Sequence, residues 1–153
     1  MSAEERLHEL DITLHPLPAP AGLYAPAVRS GMLLVVSGQV PLHDGKPMAT
    51  GKLGAGVSLE EGASLARQCA LQALAIVRAD AQSLDRVARV VRTAGYVASA
   101  NGFTDQSRVI NGASQLLLDI FGEAGRGARI AIGVAELPLG VPVEVEFVFE
   151  LWP

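Results

Sequence analysis

Hydrophobic and polar positions alternate in the last third of the chain and predict two strands, at 128–136 and 143–151. The five apolar residues of the second strand share one face and its three glutamates share the other. A mostly apolar run at 32–40 predicts a buried strand, and the run at 86–99, which contains four valines, predicts another strand. The loop between the last two strands, LPLGVP, carries the prolines and glycine typical of a turn.

Helical spacing of apolar residues appears twice between these strands. The first helix begins at Ser58, where Ser58-Leu-Glu-Glu61 predicts a capping box, and continues to about residue 80. The second carries apolar side chains at helical spacing from Val109 to Phe121 and ends at Gly122. A polar helical segment at 3–10 precedes them, followed by a proline-rich stretch that cannot be helical. Asp44-Gly45 predicts a tight turn after the first strand.

This order of elements predicts an α+β fold, in which two helices cover one face of a mixed sheet. No segment of the chain remains to cover the other face. We therefore expect another copy of the chain to cover it. The length favours a single domain, 1–153, with residues 1–13 as a polar N-terminal extension.

The composition and the sequence motifs argue against several classes of function. The net charge is −4 and there is no basic cluster, so neither nucleic acid nor an anionic membrane is an expected partner. The longest apolar runs are too short to span a bilayer, and the acidic N-terminus lacks a signal-peptide pattern, so a cytoplasmic location is expected. With one cysteine, Cys69, the chain can form no internal disulfide. Its histidines lack the spacing of metal ligands, and it contains no phosphate-loop or dinucleotide-binding motif. No metal or cofactor is expected.

Arg129 is the first candidate for chemistry. In the predicted strand it shares a face with Ala131, Gly133 and Ala135, and these small side chains leave room beside its guanidinium. A planar carboxylate would fit there and could be held in a two-pronged manner. The alternative is that Arg129 only pairs with a strand glutamate at the surface. The residues alone leave both interpretations open.

Three other features are weaker alone. Glu146 and Glu150 are typical of a solvated strand face, although a carboxylate near an arginine could also position or deprotonate a water. Ser37-Gly38-Gln39 ends a buried strand, where backbone often meets a ligand. Tyr24 follows a turn rich in proline and glycine and is more typical of a hydrophobic lid than of a catalyst.

Taken in order, AGLYAPAV around Tyr24, LLVVSGQVPL at 33–42 and ARIAIGVAELPLGVPVEVE at 128–146 resemble the Rid (YjgF-type) family of enamine and imine deaminases, in particular its longer branch. The late block, Ala-Arg followed by Val-Ala-x-Leu-Pro and x-Glu-x-Glu, is the most specific part. The resemblance covers nearly the whole chain. It implies a chorismate-mutase-like fold, a homotrimer, and sites in clefts between subunits that bind a small carboxylate or imino acid.

The resemblance also implies residue roles. Arg129 would hold the substrate carboxylate and Glu144 would position the attacking water. Tyr24, Ser37 and Gly38 would line the pocket, as would the position of Ala131. A helix-borne asparagine of the family falls at Asn111 or at Ser114, depending on the alignment of the helix. The implied reaction is cofactor-free hydrolysis of 2-imino or 2-enamino acids to 2-keto acids and ammonia.

Three positions depart from the family pattern and make the site less polar. Ala131 stands where cysteine is common, Ile130 where serine is frequent, and Gly127 where this branch often has histidine. Two further interpretations stay open beside the deaminase. One is a non-catalytic trimer that binds small carboxylates through the same arginine, and the other is a chaperone-like protein with vestigial clefts.

Overall fold

The computed structural model describes residues 1–153 and contains three α-helices and nine strands. The helices are α1 (Ala3–Glu9), α2 (Leu59–Ala81) and α3 (Gln106–Phe121). The strands are β1 (Ala27–Ser30), β2 (Leu33–Gln39), β3 (Leu42–His43), β4 (Lys46–Pro47), β5 (Lys52–Leu53), β6 (Gly56–Val57), β7 (Val87–Ala98), β8 (Ala128–Val134) and β9 (Val143–Leu151). None of the helices combines the length and hydropathy that a bilayer crossing requires.

Five strands form the main sheet, in the order β1-β2-β9-β7-β8. β7 and β8 run parallel, whereas the other neighbouring pairs are antiparallel, so the sheet is mixed as expected. Helices α2 and α3 pack on one face, and the apolar side chains of β9 that point to them are almost completely buried. Two short pairs, β3 with β4 and β5 with β6, lie outside this sheet.

The expected α+β class is confirmed, with α2 and α3 as the two helices on one face of the sheet. The polar helical segment expected at 3–10 forms α1, but its packing against the core is not what the sequence predicts. Helix α1 is a third helix, and its Ala3 and Leu7 belong to the hydrophobic core. Arg6 fastens it to the end of α3 by donating to the Ile120 carbonyl at 3.0 Å. The sequence pattern hid this packing because α1 buries only two apolar residues among five polar or charged ones.

The turn and cap signals have mixed outcomes. Asp44 and Gly45 have φ of 49° and 74° and form the β3–β4 turn, as the sequence predicts. The Ser58 hydroxyl accepts from the Glu61 amide at 3.1 Å and begins α2. The predicted reciprocal bond from Glu61 is not formed there, so the capping box at Ser58 is wrong; a complete box is formed instead by Ser2 and Glu5 of α1.

The second face of the main sheet carries no helix. Its outward residues on neighbouring strands form an apolar surface that is about two-fifths exposed at several positions. The members of this open face are Val28, Leu33, Val35, Ile130, Ile132 and Val148, with Glu144, Glu146 and Tyr96 among them. Edge strand β8 also has one unpaired side. Both features are unusual for the surface of a monomer.

Candidate functional site

Arg129 extends from edge strand β8 onto the side of α3. Its Nη1 donates to Asn111 Oδ1 at 2.8 Å and to Ser114 Oγ at 3.1 Å. Its Nη2 donates to the Ser107 hydroxyl at 2.6 Å and to the Ser107 carbonyl at 3.2 Å. We call Arg129 and these three α3 residues the arginine cluster. Every partner is neutral, and Arg129 forms no ion pair, so its positive charge is available to an anion.

The spacing of the three partners explains this arrangement. Residues 107, 111 and 114 follow one another at intervals of four and three, so they lie in one stripe of the helix. Strand β8 turns Arg129, Ala131 and Gly133 toward α3, and a side chain at Gly133 would meet the Gln106 amide nitrogen at 2.8 Å. Ala131 and Gly133 thus follow Arg129 on the strand face that meets α3. Surface pairing of Arg129 with a strand glutamate is wrong.

Two glycines bring α3 close enough for these contacts. A Cβ at Gly95 of β7 would lie 2.3 Å from Ile110 Cγ1, and a Cβ at Gly112 would lie 1.9 Å from the Ala63 carbonyl oxygen of α2. Any side chain at these positions would push the helix away from the sheet or from α2. The position of Asn111 and Ser114 opposite Arg129 therefore depends on close packing on two sides of α3.

A second group of candidate residues lies at the end of β2. Val36 pairs with Phe147 and Gln39 pairs with Val145, so β2 contains one residue more than β9 over this interval. Ser37 and Gly38 thus form a β-bulge, which redirects the chain locally. The Gln39 amide donates to the Ser37 carbonyl at 2.9 Å and accepts from Gln72 of α2 at 3.3 Å, which holds the bulge in place.

Glu144 lies directly over Gly38. A Cβ at Gly38 would be 2.4 Å from Glu144 Oε1, so only glycine leaves the carboxylate in this position. We call Ser37, Gly38 and Glu144 the glutamate cluster. Burial raises the pKa of the Glu144 carboxyl, and the charge of Glu146 on the same face raises it further. A half-buried glutamate of this kind is more basic than an exposed one.

Tyr96 connects the two glutamates electrostatically. It lies on β7 opposite Glu144, and its hydroxyl donates to Glu146 Oε1 at 3.3 Å. Desolvation raises the pKa of Tyr96, with the charge of Glu146 as the next cause. Glu146 thus has a hydrogen-bond partner, while Glu150 pairs with Arg89 at 3.5 Å. Both carboxylates are half-buried and paired with a neighbouring side chain, and neither contacts Arg129.

Tyr24 lies on the loop that enters β1, beside the glutamate cluster. The Ser37 hydroxyl donates to the Ala25 carbonyl at 2.6 Å and the Ser37 amide to the Pro26 carbonyl at 2.9 Å, which fastens this loop to the bulge. Tyr24 itself is 57% exposed and the preceding Leu23 is fully exposed. The loop therefore presents two large apolar side chains to solvent at the border of the cluster.

The two clusters do not meet within one chain. Arg129 pairs with Thr93 and Glu144 with Tyr96, and the strands β8 and β9 lie on either side of β7. Two strand spacings and three residues along the strand separate the Cα atoms of Arg129 and Glu144 by about 14 Å. Moreover, Arg129 points to the helical face, whereas Glu144 belongs to the open face.

The predicted site residues therefore fall into two groups. Arg129, Asn111, Ser114 and Ala131 lie together at β8 and α3, and both candidates for the helix-borne position contact the arginine. Ser37, Gly38 and Glu144 lie together at the bulge, and Tyr24 immediately precedes Ala25, whose carbonyl accepts from Ser37. Sequence reasoning missed Ser107, although its spacing from Asn111 and Ser114 was a usable signal.

Comparison with known proteins gives consistent matches over the whole fold. A family model described as "YjgF/chorismate mutase-like, putative endoribonuclease" matches residues 4–151. Protein TCP17 of Trypanosoma cruzi is 49% identical over 146 residues, which cover 95% of this chain and 91% of that protein. The crystal structure of protein Atu1372 of Agrobacterium tumefaciens, whose function is described as unknown, is 41% identical, with a TM-score of 0.87 over 97% of this chain and 91% of that one. A structure from Shewanella oneidensis, described as a putative endoribonuclease, is 32% identical, with a TM-score of 0.93 over 99% and 100% of the two chains.

Proposed function

The chain belongs to the YjgF/chorismate mutase-like family, and on that premise we propose that it hydrolyses 2-imino or 2-enamino acids to 2-keto acids and ammonia. The observation that carries the proposal is Arg129, a cation held in place by neutral groups and free of any carboxylate of its own chain. Such a group is ready to bind the carboxylate that every substrate of this class carries.

The second requirement is a water molecule directed at the C=N carbon. Glu144 suits this role because burial raises its pKa toward the range in which a carboxylate accepts a proton effectively. Water adds to the iminium carbon as Glu144 takes one of its protons. Glu144 then returns this proton to the amino nitrogen of the carbinolamine, whose C–N bond breaks to release ammonia as the hydroxyl loses its proton to give the keto acid. Imino acids already react with water, so fixing the carboxylate and the water supplies the main advantage. No step needs a metal or an organic cofactor.

Arg129 and Glu144 can act on one small molecule only if they come from different copies of the chain. We therefore propose a homotrimer with its sites in the clefts between subunits. The open face, with its exposed Ile130, Ile132 and Val35, supplies an apolar surface for such contacts. The unpaired edge of β8, which carries Arg129, is a second surface that a neighbouring copy would protect.

A second candidate function is a trimer that binds small carboxylates without catalysis. Ile130 and Ala131 beside the arginine favour it, because they replace polar residues that the family often has there. Cleavage of RNA, which the family description mentions, has less support. The chain has 12 basic and 16 acidic residues, and a phosphate backbone needs a basic surface.

The test is the rate at which the purified protein removes an imine that an amino-acid oxidase generates from its amino acid. We expect acceleration by the wild type and none by Arg129→Ala. Arg126→Ala is the matched control, because Arg126 is an exposed arginine three residues away whose partner is Glu123. Full activity of Arg129→Ala would contradict the assignment. Saturable binding of a 2-keto acid without imine turnover would favour the binding protein.

A further inference from the structure

Arg129 does not present a free fork to a ligand. Its two terminal nitrogens are both engaged by α3, and only Nε has no partner in the chain. A two-pronged grip on a carboxylate uses two neighbouring N–H groups, either Nε with Nη2 or Nη1 with Nη2. Each of these edges includes a nitrogen that the arginine cluster already occupies. The guanidinium alone therefore cannot offer two free neighbouring N–H groups to a carboxylate.

The hydroxyl of Ser107 can supply the second hydrogen-bond donor. A hydroxyl that accepts a hydrogen bond keeps its own hydrogen free to donate. Ser107 Oγ accepts from Nη2 at 2.6 Å and donates to no group of the chain. Its oxygen lies against a cation, which strengthens a bond from its hydrogen to an anion.

We infer that Ser107 is a carboxylate-binding and positioning residue of the site, on the assumption, taken from the proposed function, that Arg129 receives the carboxylate. It holds the guanidinium plane against α3 through Nη2. On the Nε edge it offers its O–H beside the free Nε–H, so that a carboxylate is held by one hydroxyl and one guanidinium hydrogen. Ser114 holds Nη1 in the same way on the opposite edge. The ligand class is a small planar carboxylate.

Binding of 2-oxobutanoate by isothermal titration calorimetry tests the inference without requiring turnover. We expect Ser107→Ala to weaken binding about tenfold or more, because a hydrogen bond to a charged group is lost. Ser107→Thr keeps the hydroxyl and should bind within about threefold of the wild type. Ser64→Ala is the matched control: it is the same substitution on an exposed helical position of α2, and its affinity should not change.

Kinetics provide a second reading for an active protein. If Ser107 binds the carboxylate equally in substrate and transition state, Ser107→Ala should raise KM and leave kcat nearly unchanged. A serine that only supported the helix would instead lower thermal stability in the alanine variant. In that case Ser107→Thr would not selectively restore the binding of 2-oxobutanoate.

The inference is overturned if Ser107→Ala binds 2-oxobutanoate as tightly as the wild type while Arg129→Ala does not bind it. It is also overturned if the wild type binds no carboxylate. The proposed function fails in a different way, by the absence of imine hydrolysis. A protein that binds 2-oxobutanoate through Ser107 but does not turn over imines would support the inference and contradict the deaminase.

Discussion

Gly38→Ala tests whether activity depends on the position of the Glu144 carboxylate. The new Cβ would lie 2.4 Å from Glu144 Oε1, whereas ordinary contacts begin at 3.4 Å, so the carboxylate must retreat by about 1 Å. The backbone at Gly38 has no positive φ, so alanine introduces no conformational strain. The group that moves is the end of a flexible side chain, and we expect the free energy of unfolding to change by less than about 1 kcal/mol.

The catalytic effect should be much larger than the effect on stability. A misplacement of about 1 Å in a group that positions a reactant can lower the rate about a hundredfold. We expect kcat for imine hydrolysis to fall by roughly this factor in Gly38→Ala, with a much smaller change in KM because Arg129 is untouched. Stopped assays of the oxidase-generated imine give both constants, and thermal unfolding confirms that the variant is folded.

A double-mutant cycle with Glu144→Gln tests the cause. If Gly38→Ala acts through the Glu144 carboxylate, it should have little further effect in a protein that already lacks this carboxylate. Two results would refute the reasoning. One is an unchanged kcat in Gly38→Ala, and the other is full additivity of the two substitutions.

Three further predictions concern stability and assembly. The raised pKa of Glu144 means that the folded state binds this proton more tightly than the unfolded state, so the ionised carboxylate lowers stability above the folded pKa. Glu144→Gln should therefore raise the melting temperature at about pH 8 and lose this gain at about pH 4. An equal gain at both pH values would contradict the argument. Gly112→Ala should lower the free energy of unfolding in urea by about 2–3 kcal/mol, although alanine favours a helix, because the new Cβ would meet the Ala63 carbonyl oxygen. In the control Gly62→Ala the new Cβ would meet only side-chain atoms, so the loss should be smaller. Ile132→Glu places a charge on the open face and should give monomers by light scattering; an unchanged mass would show that this face is not the interface.

Periodicity predicted most of the fold because the main elements bury one face each. The alternation in β9 and the helical spacing in α3 both correspond to buried residues in the structure. The pattern gave no indication of β1, in which one residue is half-buried and three are exposed. Such an edge strand is held by backbone pairing with β2, which hydrophobic periodicity does not report.

The site was predictable in its members but not in its arrangement. The row of small residues beside Arg129 follows from strand alternation alone, and the structure places it against α3. Arg129 and Glu144 face opposite sides of the sheet because they pair with Thr93 and Tyr96 of β7, which point to opposite faces, and this register cannot be read from either strand alone. Their separation depends on strand order, because β8 and β9 lie on either side of β7. Strand order is a property of the whole fold, and the spacing within a motif does not determine it.

The most direct test of the central claim, a site shared between two copies, is to mix two inactive variants. Arg129→Ala subunits keep Glu144, and Glu144→Gln subunits keep Arg129. If each site takes Arg129 from one subunit and Glu144 from its neighbour, refolding the variants together at equal amounts should restore about a quarter of the wild-type sites, since each must combine one subunit of each kind in the right order. Activity near this level in the mixture, with none in either variant alone, is the result we predict. A mixture as inactive as its components, with mixed oligomers demonstrated by differential tags, would contradict the account.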